Sequence, residues 1–307
     1  MPLFKGALSK EGKGVEKGES ERKRASALFF ELYTRKFWEI IKVSFMFLVA
    51  SIPALLVMMF VSGQISVQIT NVLKEYLDAA IKMEGVNDHG VLTAYVSIAD
   101  VIIRIFIALL LTALWGTGPA SAGYAYIFRC YAREEHAFTW SEFWEQTFKN
   151  FKQTIWIFVI DMLAFVLLVN AFFFYVSQGG AFGIMKYVIM CFFMVYTMMH
   201  FYIYPILINF KVKLGEAFKN SLLLSIIALP VNFLLLAGVL AIHFVMPYLG
   251  MTLPSLTASL GYWTIYIGMA LFILQGLSGF LVAFVTNRVM KKYVLDMEKT
   301  EDKKELY

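Results

Sequence analysis

An all-α fold is predicted: a polytopic membrane bundle of about six transmembrane helices with a cytoplasmic interfacial amphipathic helix. Three observations carry this reading. Of 307 residues, 60% are hydrophobic and 17% aromatic while 16% are charged, a balance outside that of soluble domains. Several apolar runs approach or exceed the roughly 20 residues that a helix needs to cross a hydrocarbon core of about 30 Å. The runs are continuous rather than alternating, which does not suit the strands of a membrane barrel.

Taken in order, residues 1–27 are expected to form a disordered basic cytoplasmic tail. Lys10 to Arg24, KEGKGVEKGESERKR, mixes glycine with both charges and offers almost nothing to bury. A helical transmembrane domain is expected over 28–290, with spans at Val43–Val61, Ile98–Leu114, Ile155–Val176, Tyr187–Phe210, Leu222–Met246 and Leu260–Val285. The second run is short and contains Arg104. Between the first two spans, 64–97 is read as an external segment holding an amphipathic helix. Ile65, Ile69, Leu73, Leu77 and Ile81 recur at helical spacing, Lys74, Glu75, Asp78 and Lys82 lie opposite, and Gly85 to Gly90 makes the turn. A charged cytoplasmic tail closes the sequence over 291–307.

Trp115 to Tyr124, WGTGPASAGY, has two readings. Gly118 and Gly123 have the glycine spacing of a phosphate-binding loop, but Tyr124 and Ala125 stand where that motif needs Lys and then Ser or Thr. The reading adopted is a helix break and packing motif built on Gly116, Gly118, Pro119 and Gly123, where proline removes an amide and small residues let helices approach. Within the cytoplasmic amphipathic segment 129–152, Thr139 to Phe151 predicts a helix with Trp140, Phe143, Trp144 and Phe148 on one face and a Thr139–Glu142 capping box. Trp and Phe beside Lys149 and Lys152 suit a helix lying among lipid headgroups.

Lys and Arg set the orientation, since they are retained on the cytoplasmic side. Ten lie between Met1 and Lys42, further ones follow the second, fourth and sixth spans, and the opposite side has Lys74, Lys82 and Lys186. Both termini are therefore expected in the cytoplasm of a bacterial cell membrane. The net charge of +5 is a topology signal with some attraction to anionic lipid and implies no nucleic-acid partner. No cleavable signal peptide is expected, since the first forty residues are charged and the first apolar run is too long. Cys130 and Cys191 suggest neither a disulfide nor a metal site, and no cofactor is expected. Basic, aromatic entries to a span recur at KFWEIIKVSF, TFKNFKQTIW and AFKNSLLLSI. Either three helical hairpins repeat, or every helix entering from the basic side looks this way.

The stretch GPASAGYAYIFRCYAREEHAFTWSEFW, with FFELYTRKFWEIIK before it and AFKNS after it, closely resembles the YesL-like family of bacterial integral membrane proteins of unknown function. The resemblance covers Phe29 to about Ser221, and the long 64–97 segment departs from it. It implies a polytopic protein associated with carbohydrate uptake and degradation systems and supplies no active site.

Polar residues inside the spans are the remaining pointers, because burying them in lipid is costly. Asp161 lies roughly 12 Å from the inner end of the third span and His200 about 15 Å from the inner end of the antiparallel fourth, at 1.5 Å per residue. These form a candidate intramembrane pair. Arg104 and His243 lie toward the outer ends, and Asn170, Asn209, Asn232 and Gln275 are candidates for joining helices. Such residues either hold the bundle together or mark a solute path. The leading function is a non-enzymatic accessory or partner of a carbohydrate transport system, binding transporter subunits or a second copy of itself in the lipid bilayer; the alternative is a small-solute transporter in its own right. No H-E-x-x-H, G-x-S-x-G or Cys and His cluster points to an enzyme. In intact cells, cysteines placed at Ser20, Asn150 and Lys303 are expected to resist a membrane-impermeant thiol reagent while one at Asp88 reacts; labelling at Asn150 would overturn the six-span topology.

Overall fold

The computed structural model describes residues 24–71, 74, 89–178, 180–210, 212–252 and 260–295. It is 92% helical and contains no strand among the described residues. The elements are α1 (Ala25–Arg35), α2 (Phe37–Val61), α3 (His89–Trp115), α4 (Pro119–Ala132), α5 (Thr139–Lys149), α6 (Phe151–Ser177), α7 (Met185–Asn209), α8 (Leu214–Ile227), α9 (Leu229–Thr252), α10 (Leu260–Met269) and α11 (Gln275–Met290). A π-helical turn, Ala270–Leu274, joins α10 to α11, and another, Lys291–Leu295, follows. Residues 63–71 are also helical after a turn at Ser62.

Among the described residues, five helices are long and apolar enough to cross a membrane: Phe37–Val61, Val96–Trp115, Phe151–Ser177, Phe182–Asn209 and Tyr262–Val294. A sixth span exists if Leu214–Ile227 and Leu229–Val245, bent by 96°, are taken together. The expected straight span Leu222–Met246 is thereby corrected, because Pro230 has no amide to return to Ile226 and its ring crowds that turn. Asn232 makes the bend tolerable in an apolar setting. Its Nδ2 donates to the carbonyls of Leu224 (3.2 Å) and Ser225 (3.0 Å) in the last turn of α8, and its Oδ1 accepts from the Tyr202 hydroxyl.

Three junctions share one local geometry. The third basic entry, AFKNSLLLSI, lies inside α8 and not at its junction, so the likeness is one of helix pairs and does not follow the sequence motif. Each junction pairs a short helix of 11, 11 or 14 residues with a long one of 25, 27 or 24, across a single intervening residue. Those residues, Lys36, Asn150 and Ala228, have φ/ψ of −104/10°, −100/5° and −101/28°, all near the sparsely populated bridge region. In this register α8 is the counterpart of α1 and α5.

At one end of the bundle, Arg35 meets Glu134 at 2.7 Å, Arg129 donates to Asn209 at 2.7 Å, and Arg133 donates to Asn287 at 2.7 Å. This is the basic end. At the far end Asn170 Nδ2 donates to Gln64 Oε1 at 2.9 Å. One core cluster gathers Trp115, Ile157, Phe165, Tyr202 and Val239, and a second, toward the basic end, gathers Leu32, Val43, Phe128, Phe143 and Phe280.

Other expectations need adjustment. The first helix begins at Ala25, before the expected Leu28, and 1–23 lie outside the described residues. α3 begins at His89, so His89 and Gly90 belong to a helix rather than the expected turn, whose other residues, 85–88, lie outside the described ones. On 63–71 the buried residues are Gly63, Ser66 and Thr70 rather than Ile69, which is exposed. The hydroxyls bury cheaply because each bonds its own helix, Ser66 to Gly63 O and Thr70 to Ser66 O. The expected capping box at Thr139 is absent: Phe138 is the N-cap, and Thr139 Oγ1 bonds the Tyr131 hydroxyl at 2.9 Å instead. An acidic cap forms at α8, where Glu216 Oε2 accepts from the Lys213 amide at 3.2 Å.

Asn232→Leu is expected to cost about 2–3 kcal/mol, since it strands a buried Tyr202 hydroxyl and two carbonyls at the bend. Thermal unfolding in detergent checks this, with Asn170→Leu, at an exposed site, expected to cost much less.

Candidate functional site

The site is built around the break after α3. Gly116 and Gly118 have φ of +82° and +74°, a region glycine enters without steric cost, and Pro119 opens α4 where its missing amide is no loss. A Cβ on Gly116 would sit 2.5 Å from Ser121 Oγ and 2.9 Å from the Tyr204 ring, and one on Gly123 would sit 2.4 Å from the Phe143 carbonyl oxygen. The first glycine permits the turn; Gly123 permits α5 to lie against α4. The connecting polar groups are satisfied, with the Thr117 amide donating to Ser121 Oγ at 2.6 Å and Thr117 Oγ1 bonding Ser51 Oγ of α2 at 2.6 Å. The break expected at Gly116–Pro119 is present.

Asp161 and His200 meet. Nε2 of His200 lies 2.7 Å from Asp161 Oδ1, and Tyr196 donates its hydroxyl to the same oxygen at 2.8 Å. Both side chains are almost wholly buried. Nδ1 of His200 lies 2.9 Å from the Tyr196 carbonyl oxygen, which can only accept, so Nδ1 carries a proton. The Nε2–Oδ1 contact must then hold a second proton, either as imidazolium and carboxylate or as neutral imidazole and carboxylic acid. Both arrangements are neutral overall, as a low-dielectric interior favours. Asp161 Oδ2 has no hydrogen-bond partner among the described residues. Trp115 covers the pair: its ring stacks on His200 at 5.5 Å, and its Nε1 donates to Thr197 Oγ1 at 3.0 Å.

On the other side of His200 lies a partly open cavity of about 80 Å³, room for a few small molecules such as water. Ser121, Ala125 and Arg129 line it from α4 at i, i+4 and i+8, one helix face. His200 and Tyr204 line it from α7, and Gln275, Gly279 and Thr286 from α11. The Tyr204 hydroxyl, beside Ser121 and Gly118, meets no partner within hydrogen-bond geometry. Gln275 Oε1 and Arg129 Nε are likewise buried and unpartnered among the described residues. No Asp or Glu lines the cavity.

The remaining intramembrane polar residues divide. Arg104 is paired with Asp100 at 2.6 Å on its own helix. His243 bonds the Val239 carbonyl through Nδ1, and its Nε2 is unpartnered. Asn170, Asn209 and Asn232 join elements as expected. On α5 the aromatic face is divided: Phe143 is fully buried against the bundle, whereas Trp140 and Phe148 are 68% and 67% exposed and Trp144 lies between them. Sequence reasoning missed Tyr204 and the α4 stripe, whose i, i+4, i+8 spacing of Ser, Ala and Arg is the signal that was there to find. Among the described residues no group of three or more His, Cys, Asp or Glu side chains can hold a metal ion. No protein-family description, curated protein or solved structure matches the chain.

Asp161→Leu is expected to cost about 2–4 kcal/mol, because it leaves His200 Nε2 and the Tyr196 hydroxyl without a partner. Both partners meet the single oxygen Oδ1, so Asp161→Asn can keep one of the two bonds, as a nitrogen donating to Nε2 or an oxygen accepting from Tyr196, and should lose less than the leucine variant. Thermal unfolding of the two variants checks the order.

Proposed function

We propose that the chain is a non-enzymatic, multi-pass membrane protein that binds and carries a small polar solute, with both termini in the cytoplasm by the distribution of Lys and Arg. The observation that supports this is the cavity: its wall is mostly apolar with a few polar groups set into it, and it begins at a helix break beside a buried His–Asp pair and reaches Arg129 and Asn209 near the basic end. Interrupted helices and polar side chains inside a bundle are what a solute site needs, since irregular backbone is tolerated at membrane depth where it lines a cavity.

The second reading is an accessory of a carbohydrate transport system, as the YesL-like resemblance implies. It is favoured by the exposed aromatic edge Phe138, Trp140 and Phe148, which suits either lipid headgroups or a transporter subunit.

The chain purified alone into liposomes is expected to move one or more members of a radiolabelled panel of sugars, small carboxylates and inorganic phosphate. Ala125→Phe, which fills the cavity from α4, should reduce that flux at least tenfold while the melting temperature stays near wild type. If no panel member moves and permease subunits co-purify from native membranes, the accessory reading replaces the carrier.

A further inference from the structure

The charge and hydrogen-bonding character of the cavity points to a class of solute. We propose that it takes a small oxyanion, admitted past Arg129 and held at its deep end by the first turn of α4 and the Tyr204 hydroxyl. This rests on the carrier reading and specifies its substrate.

The deep end is a helix N-terminus without a side-chain cap. α4 has Gly118 as its N-cap, which has no side chain to turn back on the first amides. Pro119 presents no amide and the Ser121 amide donates to the Gly118 carbonyl at 3.0 Å, so what this turn offers is chiefly the positive end of a 14-residue helix dipole. Such a terminus attracts anions. Independently, the Tyr204 hydroxyl is buried there beside Ser121 and Gly118 with neither in good hydrogen-bond geometry, leaving a donor that a ligand in the cavity can satisfy. A Cβ at Gly116 would strike both Ser121 and Tyr204, so glycine keeps this corner as it is.

The other groups agree in sign. Arg129 lies two turns along the same face of α4, about 12 Å from Ser121 at 1.5 Å per residue. Its guanidinium donates one bond to Asn209, lies 3.8 Å from Glu135, and keeps its Nε buried and unpartnered. It is the fixed cation at the entrance. Asp161, the nearest buried carboxylate, does not line the cavity and is bonded to His200 and Tyr196. The Gln275 side chain lies beside His243 and carries no charge, so it does not decide the sign. Gly118 and Gly123 lack the lysine that a nucleotide-binding loop needs, and a volume of about 80 Å³ suits an anion of a few heavy atoms.

The test uses calorimetric titration of the full chain in lipid nanodiscs with acetate, inorganic phosphate, glycerol and choline. Saturable binding of acetate or phosphate is expected, weakening as salt rises, with no comparable binding of glycerol or choline. Tyr204→Phe should weaken anion binding about tenfold, as loss of one bond to a charged group implies, while unfolding at the wild-type temperature. Arg129→Gln should weaken it at least as much and flatten the salt dependence. If glycerol or choline binds as tightly as the anions, or if anion affinity is unchanged in both variants, the oxyanion is wrong although a carrier of another solute class remains. If a folded wild type binds neither anion, the proposal fails; glucose or glycerol flux in liposomes would then keep the carrier reading, and its absence would remove both.

Discussion

The constraint on which this structure depends is that a backbone polar group in an apolar slab must find a partner within the protein, since an unpaired one costs several kcal/mol. Straight helices meet it automatically, and interruptions have to meet it with side chains. At the break after α3, Ser121 Oγ takes the Thr117 amide and Ser51 takes the Thr117 hydroxyl. At the bend before α9, Asn232 takes two carbonyls of α8. The residues that repair these interruptions also tie helices together: Ser51 fastens α2 to the break, and Asn232 fastens α9 to α8 and to Tyr202 on α7. Helix geometry and helix packing are thus controlled by the same few hydroxyl and amide groups.

The buried ionisable pair obeys the same logic with charge added. Neither partner would tolerate this burial alone. The Tyr196 carbonyl and hydroxyl hold the two side chains in register, one through Nδ1 and one through Oδ1, and the Trp115 ring closes the apolar side. The arrangement fixes α6 to α7 at the depth where α3 ends. His200 is then shared: one edge bonds Asp161, while the residue contributes to the wall of the cavity.

Much of this was legible in the sequence. Continuous apolar runs specify helices, glycine and proline at 116–119 specify a break, and Asp161 and His200 fall at similar depths on antiparallel neighbours. What was hidden depended on contacts between distant segments or on which of two local rules prevails. The run from Leu222 to Met246 shows unbroken hydropathy, and proline alone does not say whether a helix kinks or turns sharply; the bend also needed Asn232 to accept its consequences. Thr139 matched a cap pattern, yet Tyr131, eight residues earlier, was a better partner once α4 and α5 packed together. The polar buried face of 63–71 was obscured because Ser and Thr can satisfy their hydroxyls on their own helix, and so lie inward where Ile was expected.

The cavity follows from volume. On α4 the wall facing it steps through Ser121 and Ala125 before Arg129, and α11 offers Gly279 and Ala283 across from it. Tyr124 fills the space against Gly279, where a Cβ would meet its ring at 2.4 Å, and its hydroxyl is held by the Gln275 carbonyl at 2.6 Å. That aromatic ring is therefore fixed to one side and cannot swing into the gap left by the small residues. Tyr204 bounds the gap from α7, and the space persists because the Tyr124 ring is held away from it. A void lined solely by apolar groups would favour collapse of its walls or a dry interior. One bordered by an unpartnered hydroxyl, a helix terminus without a side-chain cap and an arginine favours occupation by something that can accept their hydrogen bonds.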